Sequence, residues 1–178
     1  MLVSTLLLMA ILGEPAPATG RICSPELFRL GRSKNANVVV YEASVSAAGT
    51  LDPVAPVKAS WILLADKGER EELSWLEWRM AYGFEVRPDN PGSGFVFTFK
   101  AKEDRPVRIG LRDGCPVAVA AIGARQGILR RIFIKSDDRL IPSVEYVDVF
   151  GSDLETGEDL HERIVVSTPQ PPQPDYLP

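Results

Sequence analysis

Residues 107–135 read VRIGLRDGCPVAVAAIGARQGILRRIFIK, and the pattern of this stretch decides the fold. Apolar side chains occupy every second position at its start, as Val107 and Ile109 show, and other residues lie between them. Asp113-Gly114 and Gly123 then place turn-forming residues between the apolar segments. Alternation with a period of two, interrupted by such turns, is typical of β-strands joined by hairpins.

The same alternation recurs along most of the chain. The segments that show it are Asn37–Ala43, Val57–Ala65, Phe95–Phe99, Val107–Arg112, Val117–Ile122, Ile128–Lys135, Val144–Phe150 and Asp159–Val166. No long helical segment separates the later strands, so parallel βαβ units are disfavoured. The sequence therefore predicts a mainly β fold, an antiparallel β-barrel in preference to a sandwich, with about eight to ten short strands.

One segment, EREELSWLEWRMAY at residues 69–82, departs from this pattern and predicts an α-helix. Its apolar residues fall on two sides of a helical wheel: Leu73, Leu76 and Met80 on one, and Trp75, Trp78 and Tyr82 nearly opposite. A second apolar side needs a second surface, which is either the protein's own loops or a binding partner. Trp75 and Trp78 are therefore a candidate interaction face. A strand over this segment is the alternative.

The first eighteen residues have the pattern of a secretory signal peptide. Met1–Leu12 is almost wholly apolar, and Ala16-Pro17-Ala18 carries small residues where a signal peptidase cleaves. The apolar run is shorter than the about 20 residues that span a bilayer. No Lys or Arg precedes it, so a buried N-terminal strand or helix is the alternative. We expect cleavage after Ala18, a secreted or periplasmic protein, and no transmembrane span in the rest of the chain.

The other end of the chain is rich in proline. Residues 167–178 read STPQPPQPDYLP, in which five of twelve residues are proline and cannot donate to a strand ladder. This composition predicts a disordered tail, with a Pro-x-x-P ligand for another domain as the alternative. Residues 19–166 are then one β-rich domain.

The composition limits the partners of this domain. The chain carries 20 Lys and Arg against 24 Asp and Glu, a formal net charge of −4. Phosphate-rich surfaces repel an acidic chain, so nucleic acid is not an expected partner. With 45% hydrophobic and 25% charged residues, the sequence is ordinary for a folded domain and excludes the disordered and membrane-bundle classes.

Few residues that carry common catalytic chemistry are present. His161 is the single histidine, which removes multi-histidine zinc sites. The sequence contains no Cys-x-x-Cys, no Gly-rich phosphate loop and no nucleophile-elbow motif. We expect no catalytic residue, no metal site and no cofactor. A hydrolase that uses two carboxylates is the remaining enzymatic alternative.

Cys23 and Cys115 are the two cysteines. In an oxidising compartment they would form one disulfide, and two separate buried thiols are the alternative.

Three charged residues alternate with apolar residues in the predicted strands: Arg130 with Ile128 and Ile132, Asp148 with Tyr146 and Phe150, and Glu162 with Leu160 and Ile164. A charge inside a core needs a partner, so an inward Arg130 would reach Asp148 or Glu162, and a strand register in which Arg130 faces water is the alternative. The result is either a structural ion pair or a polar site in the barrel lumen for the charged end of a small ligand. The candidate ligand contacts are Trp61, Tyr82, Arg130, Tyr146 and Asp148.

Several motifs along residues 27–166 share a resemblance. They are LFRLGRSKNANVVVYEA at 27–43, Trp61-Ile62, REEL at 70–73, AYGF at 81–84, RIFI at 131–134, Thr156-Gly157, and ERI at 162–164. Together they resemble an uncharacterised family, domain of unknown function 4833. The resemblance implies a small, β-rich and mostly secreted domain. It implies no activity, so no functional residue is carried over.

Within the first of these motifs, Arg32, Lys34, Asn35 and Asn37 belong to a polar turn with many hydrogen-bond donors. Such a turn suits an anion or a sugar. Asn side chains also bond to backbone groups in turns, and we favour this second interpretation.

The leading hypothesis is an extracytoplasmic, non-catalytic domain that binds a small amphipathic ligand inside the barrel or under the helix. The first alternative is an envelope protein–protein interaction or structural module that uses Trp75 and Trp78 or the Pro-rich tail. The second alternative is the carboxylate-based hydrolase.

Overall fold

The structure, a computed structural model, describes residues 23–90, 94–137 and 143–166. Its strands are β1 Glu26–Arg32, β2 Asn35–Ala43, β3 Val57–Leu63, β4 Glu69–Glu72, β5 Phe84–Pro88, β6 Phe95–Phe99, β7 Lys102–Arg112, β8 Cys115–Ile122, β9 Arg125–Ser136, β10 Val144–Asp153 and β11 Asp159–Val165. The predicted signal peptide at 1–18 and the Pro-rich tail at 167–178 lie outside the described residues.

The strands form one curled sheet with the shape of a half-barrel. Its hydrogen-bonded order is β4-β3-β2-β1-β9-β8-β7-β6-β5, and β10 and β11 continue the sheet from β9. The described pairs are antiparallel except β1 with β9, which is parallel. A parallel pair needs a long connection, and β2 to β8 supply it. The predicted mainly β, barrel-like fold is confirmed, with this parallel pair as the difference.

The interior of the half-barrel is an aromatic core. Its rings pack with centroids 4.7–6.0 Å apart and belong to Phe28, Tyr41, Phe84, Phe97 and Phe99. Phe28, Tyr41 and Phe97 are fully buried. The Tyr41 hydroxyl donates to the carbonyl of Tyr82 at 2.9 Å, and burial raises the pKa of Tyr41. The space predicted to be a ligand lumen is thus filled by the protein's own side chains, because alternate residues of β6 point inward.

The predicted helix is shorter than expected. Its first part, Glu69–Glu72, is strand β4, which pairs with β3. A short α-helix, α1, covers Trp75–Glu77 and continues as a π-helical turn over Trp78–Tyr82. Ser74 and Glu77 form a capping box, which starts the helix at this point rather than at residue 69. Among the described residues, no helix has the length and hydropathy needed to cross a membrane.

Candidate functional site

Strand β9 shares one of its edges between two partners. β8 pairs with its first part, up to Ile128, and β1 pairs with its second part, from Arg131. On the other edge of β9, the register with β10 skips one residue between Leu129 and Arg131. Arg130 is therefore the extra residue of a β-bulge, at the fork where β1 and β8 separate.

The bulge turns Arg130 toward solvent, so the inward orientation is wrong and the alternative, in which Arg130 faces water, is the one observed. An extra residue reverses the alternation of a strand, so the inward positions change parity at the bulge. Leu129 is 1% exposed before the bulge, and Ile132 and Ile134 pack against the core after it. Arg130 is exposed, and its Nη2 donates to the Ser152 hydroxyl at 3.2 Å.

The two predicted partners of Arg130 bond elsewhere. Asp148 accepts from Arg163, and Glu162 accepts from Arg105 Nη2 at 2.9 Å. The backbone amide of Gly123 also donates to Glu162 at 2.9 Å. Asp148 and Glu162 are each paired with an arginine, as burial requires, but neither is paired with Arg130, which is exposed and bonds to a neutral hydroxyl.

A cleft of about 400 Å³ lies at the fork. It is lined by Ser24, Glu26, Leu27, Pro116, Val117, Ile128, Leu129 and Arg130. Leu27 and Leu129 are buried, so the floor is apolar, and the charged lining residues are Glu26 and Arg130. We call this site the fork cleft.

Cys23 and Cys115 form the predicted disulfide, with an S–S distance of 2.03 Å. Cys23 precedes β1 and Cys115 begins β8, so the bond ties together the two strands that border the fork cleft. The disulfide therefore limits how far β1 and β8 can separate at this end of the fork cleft.

Trp61 and Tyr82 lie in a buried corner beside α1. Their rings meet edge to face at 5.0 Å, and Trp61 Nε1 donates to Glu77 Oε1 at 3.1 Å. The Arg32 guanidinium lies over the Tyr82 ring at 4.7 Å. Burial raises the pKa of Tyr82, and the positive charge of Arg32 opposes that shift. These two predicted ligand contacts form part of the packed core and do not line the fork cleft.

Trp75 and Trp78 do not form one face. Trp75 is 69% exposed, with the Arg79 guanidinium 5.4 Å from its ring. Trp78 is half-buried and packs against Phe84 at 4.6 Å. The predicted interaction face is thus reduced to Trp75 and its exposed neighbour Leu76.

The two asparagines of the polar turn accept hydrogen bonds from backbone amides. Asn35 Oδ1 accepts from the amide of Asn37 at 2.9 Å, and Asn37 Oδ1 accepts from the amide of Leu64 at 3.1 Å. Lys34 is exposed. Arg32 leaves the turn to stack on Tyr82, and its buried Nε has no hydrogen-bond partner among the described residues. The structure supports the interpretation that the Asn side chains stabilise the turn.

The outward side of β9, β10 and β11 carries a regular array of aromatic and charged side chains. The strand register arranges them in three rows, Arg131–Phe150–His161, Phe133–Asp148–Arg163 and Lys135–Tyr146–Val165. The opposite side of the same strands packs on the core through Ile132, Val149 and Leu160, among others. We call the array the cationic–aromatic face.

Asp148 is the centre of this face. Its side chain is only 6% exposed, and it accepts from Arg163 Nε at 2.8 Å and Nη2 at 2.7 Å. His161 Nε2 lies 2.9 Å from Oδ1 of the same carboxylate. The Arg163 hydrogen bonds are the main cause that lowers the pKa of Asp148 to about 2, and His161 adds to it. Asp148 therefore stays ionised and orders the side chains around it.

Ring stacking orders the rest of the face. Phe150 and His161 stack at 4.6 Å with 9° between their planes. The Arg131 guanidinium lies 4.2 Å from the Phe150 centroid, and that of Arg163 lies 3.9 Å from Tyr146. Two aromatic rings of the face are each contacted by an arginine, an arrangement stabilised by cation–π attraction.

The described carboxyl groups give little support to the hydrolase alternative, which needs a carboxylic acid with a raised pKa. Among the described residues, each carboxyl group with a clear shift has a lowered pKa: Asp52, Glu77, Asp104, Asp148, Asp153 and Glu162. In Glu77 and Glu162 burial favours the neutral form, but hydrogen bonds to the carboxylate outweigh it. Within the same ranges, no group of three His, Cys, Asp or Glu side chains is arranged to hold a metal ion.

Comparison with known proteins identifies the family. The model of the family "Domain of unknown function (DUF4833)" matches residues 28–163. This chain belongs to the DUF4833 family. The match begins within β1 and ends within β11, so it includes most of both sites of this DUF4833 domain. Ser24, Glu26 and Leu27 of the fork cleft and Val165 of the cationic–aromatic face lie outside it. Comparisons with curated proteins and with solved structures gave no match.

The sequence identifies the residues that one strand, β10, contributes to the face, but not the assembly of the three rows. Tyr146 and Asp148 are candidate residues from sequence, and alternation places Phe150 with them. Arg131 meets Phe150 only through a register that depends on the bulge at Arg130, and His161 meets Phe150 through the pairing of β10 with β11. Glu26 and Leu27 of the fork cleft carry no sequence signal, because the fork depends on the parallel pairing of β1 with β9.

Proposed function

We propose that this DUF4833 domain is an extracytoplasmic, non-catalytic binding domain that holds a small amphipathic ligand in the fork cleft. The observation that carries the proposal is a cleft with both apolar and polar lining residues and an exposed arginine at the β-bulge beside it. Ligand sites in proteins are commonly concave, mostly apolar, and fitted with few polar groups that orient the ligand.

The charges at the cleft favour a ligand with an anionic end. Glu26 is engaged by Arg29, whose Nε lies 2.6 Å and Nη2 2.8 Å from its two carboxylate oxygens. Within the described ranges Arg130 gives one hydrogen bond, to Ser152, which leaves further guanidinium donors for a ligand. A carboxylate, sulfate or phosphate beside Arg130 and a short apolar chain on Leu27 and Leu129 would satisfy both parts of the cleft.

The disulfide supports an extracytoplasmic location. Disulfides persist in oxidising compartments and are rare in the cytosol. A secreted protein with a signal peptide cleaved after Ala18 would begin at Thr19. Intact-mass measurement of the protein from its own cell envelope tests this directly, and an unprocessed chain would contradict it.

Octanoate is a suitable probe, because it joins a carboxylate to a short apolar chain. We expect octanoate to shift the methyl NMR signals of Leu27, Ile128 and Leu129, and octanol to bind more weakly. Arg130→Gln should weaken octanoate binding by about tenfold, since a hydrogen bond to a charged group contributes about 1.5–3 kcal/mol. Arg108→Gln is the matched control, because its side chain is 75% exposed on β7 and does not line the cleft.

A steric variant tests the cleft independently of charge. Val117 is half-buried and lines the cleft, so Val117→Phe should fill part of it and exclude octanoate while Arg130 is still present. Shifts confined to other parts of the molecule would contradict the proposal. So would octanoate binding by the Arg130→Gln and Val117→Phe variants that is as strong as binding by the wild type.

A further inference from the structure

We propose that the cationic–aromatic face is a second binding surface and that its partner is a short acidic segment of another protein, with apolar residues between its acidic ones. The face lies on the outward side of β9–β11, and its nine residues do not line the fork cleft. The inference is therefore independent of the proposed ligand site.

The side chains of the face are already ordered. Asp148 holds Arg163 and His161, Phe150 stacks on His161, and Arg131 lies over Phe150. Side chains that are fixed before binding lose little rotamer entropy when a partner arrives. Aromatic residues and arginine are also the types enriched where binding energy concentrates in protein interfaces.

The face is positive on an acidic protein. It contains Arg131, Lys135 and Arg163 against Asp148 alone, in a chain of net charge −4. Asp148 neutralises Arg163, whereas neither Arg131 nor Lys135 has an ion pair with a described residue. Two cations of the face thus lack an ion pair within the part of the chain that the structure describes, and an acidic partner complements them.

An apolar contact lies at one corner of the face. Val165 is 72% exposed and is the register neighbour of Tyr146, which Lys135 flanks on the other side. An exposed valine beside an aromatic ring and a lysine matches a partner in which apolar and acidic side chains are interspersed. This is why the inferred partner is not a purely acidic one.

The size of the face indicates whether its partner is a short segment or a second copy of the chain. Three strands about 4.8 Å apart and five residues of about 3.4 Å each give a surface of about 10 Å by 14 Å. A stable protein–protein interface covers about 800 Å² on each partner, several times more. Two copies, each of net charge −4, also repel each other.

The same charges disfavour a polyanion such as nucleic acid. Its phosphates would gain two unpaired cations on the face but approach a chain whose overall charge is negative. A short segment contacts only the face and avoids most of that repulsion, because charges beyond about 8–10 Å are screened at physiological salt.

The test uses the full chain and a fluorescein-labelled peptide of alternating Glu and Leu residues, followed by fluorescence anisotropy. We expect saturable binding that weakens as salt is added, and no binding of the Lys-Leu counterpart. The double variant Arg131→Gln with Lys135→Gln should weaken binding by about fivefold, the effect of two exposed ion pairs. Lys102→Gln with Arg108→Gln on β7 is the control, with the same change in net charge away from the face.

Val165→Ala provides a variant that leaves all charges and the fold intact, since this side chain is mostly exposed. We expect this variant to bind the peptide more weakly by a factor of about two to three, because two methyl groups are lost from a partly buried contact. Equal weakening by the control pair on β7 would overturn the proposal. It would also be overturned by tighter binding of duplex DNA than of the peptide, or by self-association that the Arg131 and Lys135 substitutions abolish.

Discussion

Arg163 donates two parallel hydrogen bonds to Asp148, from Nε to Oδ1 at 2.8 Å and from Nη2 to Oδ2 at 2.7 Å. The two residues lie directly opposite each other on β11 and β10, so the pair joins the last strand of the chain to the sheet. Two-pronged pairs of this kind are among the stronger charged interactions, and their geometry fixes both side chains.

This pair predicts an acid-sensitive contribution to stability. The pKa of Asp148 is about 2 in the folded protein and near its ordinary value of 3.8 in the unfolded chain. A lowered folded pKa stabilises the native state above the unfolded value, and the stabilisation is lost as the pH falls through about 2. Asp148→Asn should therefore melt at a lower temperature than the wild type at pH 7, and the difference should shrink between pH 4 and pH 2.

Thermal unfolding followed by circular dichroism across this pH range measures the effect. Asp159→Asn is the control, because Asp159 is exposed at the start of β11. A difference between wild type and Asp148→Asn that stays constant down to pH 2 would show that the carboxylate charge is not its source.

The disulfide predicts a large loss of stability on reduction. Cys23 and Cys115 are separated by 92 positions, and a closed loop of that length contributes about 4 kcal/mol in chain-entropy models. The double variant Cys23→Ser with Cys115→Ser should therefore have a free energy of unfolding lower by about this amount, and its urea midpoint should fall accordingly. Reductant should shift the wild type to the same midpoint and leave the variant unchanged. A wild type insensitive to reductant would contradict the prediction.

The capping box before α1 predicts a smaller effect. The Ser74 hydroxyl bonds to the Glu77 carboxylate at 2.7 Å, and Glu77 also receives the Trp61 indole. Ser74→Ala should cost about 1 kcal/mol, the usual effect of losing an N-cap side chain. Urea denaturation measures it, with Ser46→Ala in the distant β2–β3 connection as the comparison, because the Ser46 hydroxyl bonds to Thr50 within a loop and not at the start of a helix. Equal effects of the two substitutions would argue against a specific cap.

Local sequence pattern predicts most of the strands but not the β-bulge that interrupts β9. Alternation identifies β6, β7 and β8 because each contacts the core through every second residue. It fails at Arg130, where one extra residue shifts the inward positions from Leu129 to Ile132 and Ile134. A bulge is defined by the partner strand, so the sequence of one strand alone does not reveal it.

The candidate sites depend on contacts between distant segments. The fork cleft requires β1 to pair with β9 about a hundred residues later, and the cationic–aromatic face requires three strands in one register. The sequence identifies Tyr146 and Asp148, which need only alternation within β10. It misplaces the partner of Asp148, because it assigns the side of β10 that carries Asp148 to the interior. In the structure Val147 and Val149 pack on the core, and Asp148 faces outward, opposite Arg163 of β11.

Gly151 faces the bulge and predicts a test of this register. A Cβ at Gly151 would overlap the backbone carbonyl of Ile128 and press on the Ile122 side chain. Gly151→Ala should therefore destabilise the fold by about 1–3 kcal/mol, the usual cost of overpacking, or more if the bulge rearranges. A Cβ at Gly110, in contrast, would meet no atom within 4 Å, so Gly110→Ala on β7 should be neutral or slightly stabilising. Urea denaturation of both variants decides the matter: equal stability would mean that β10 does not approach β9 as closely as the bulge at Arg130 requires.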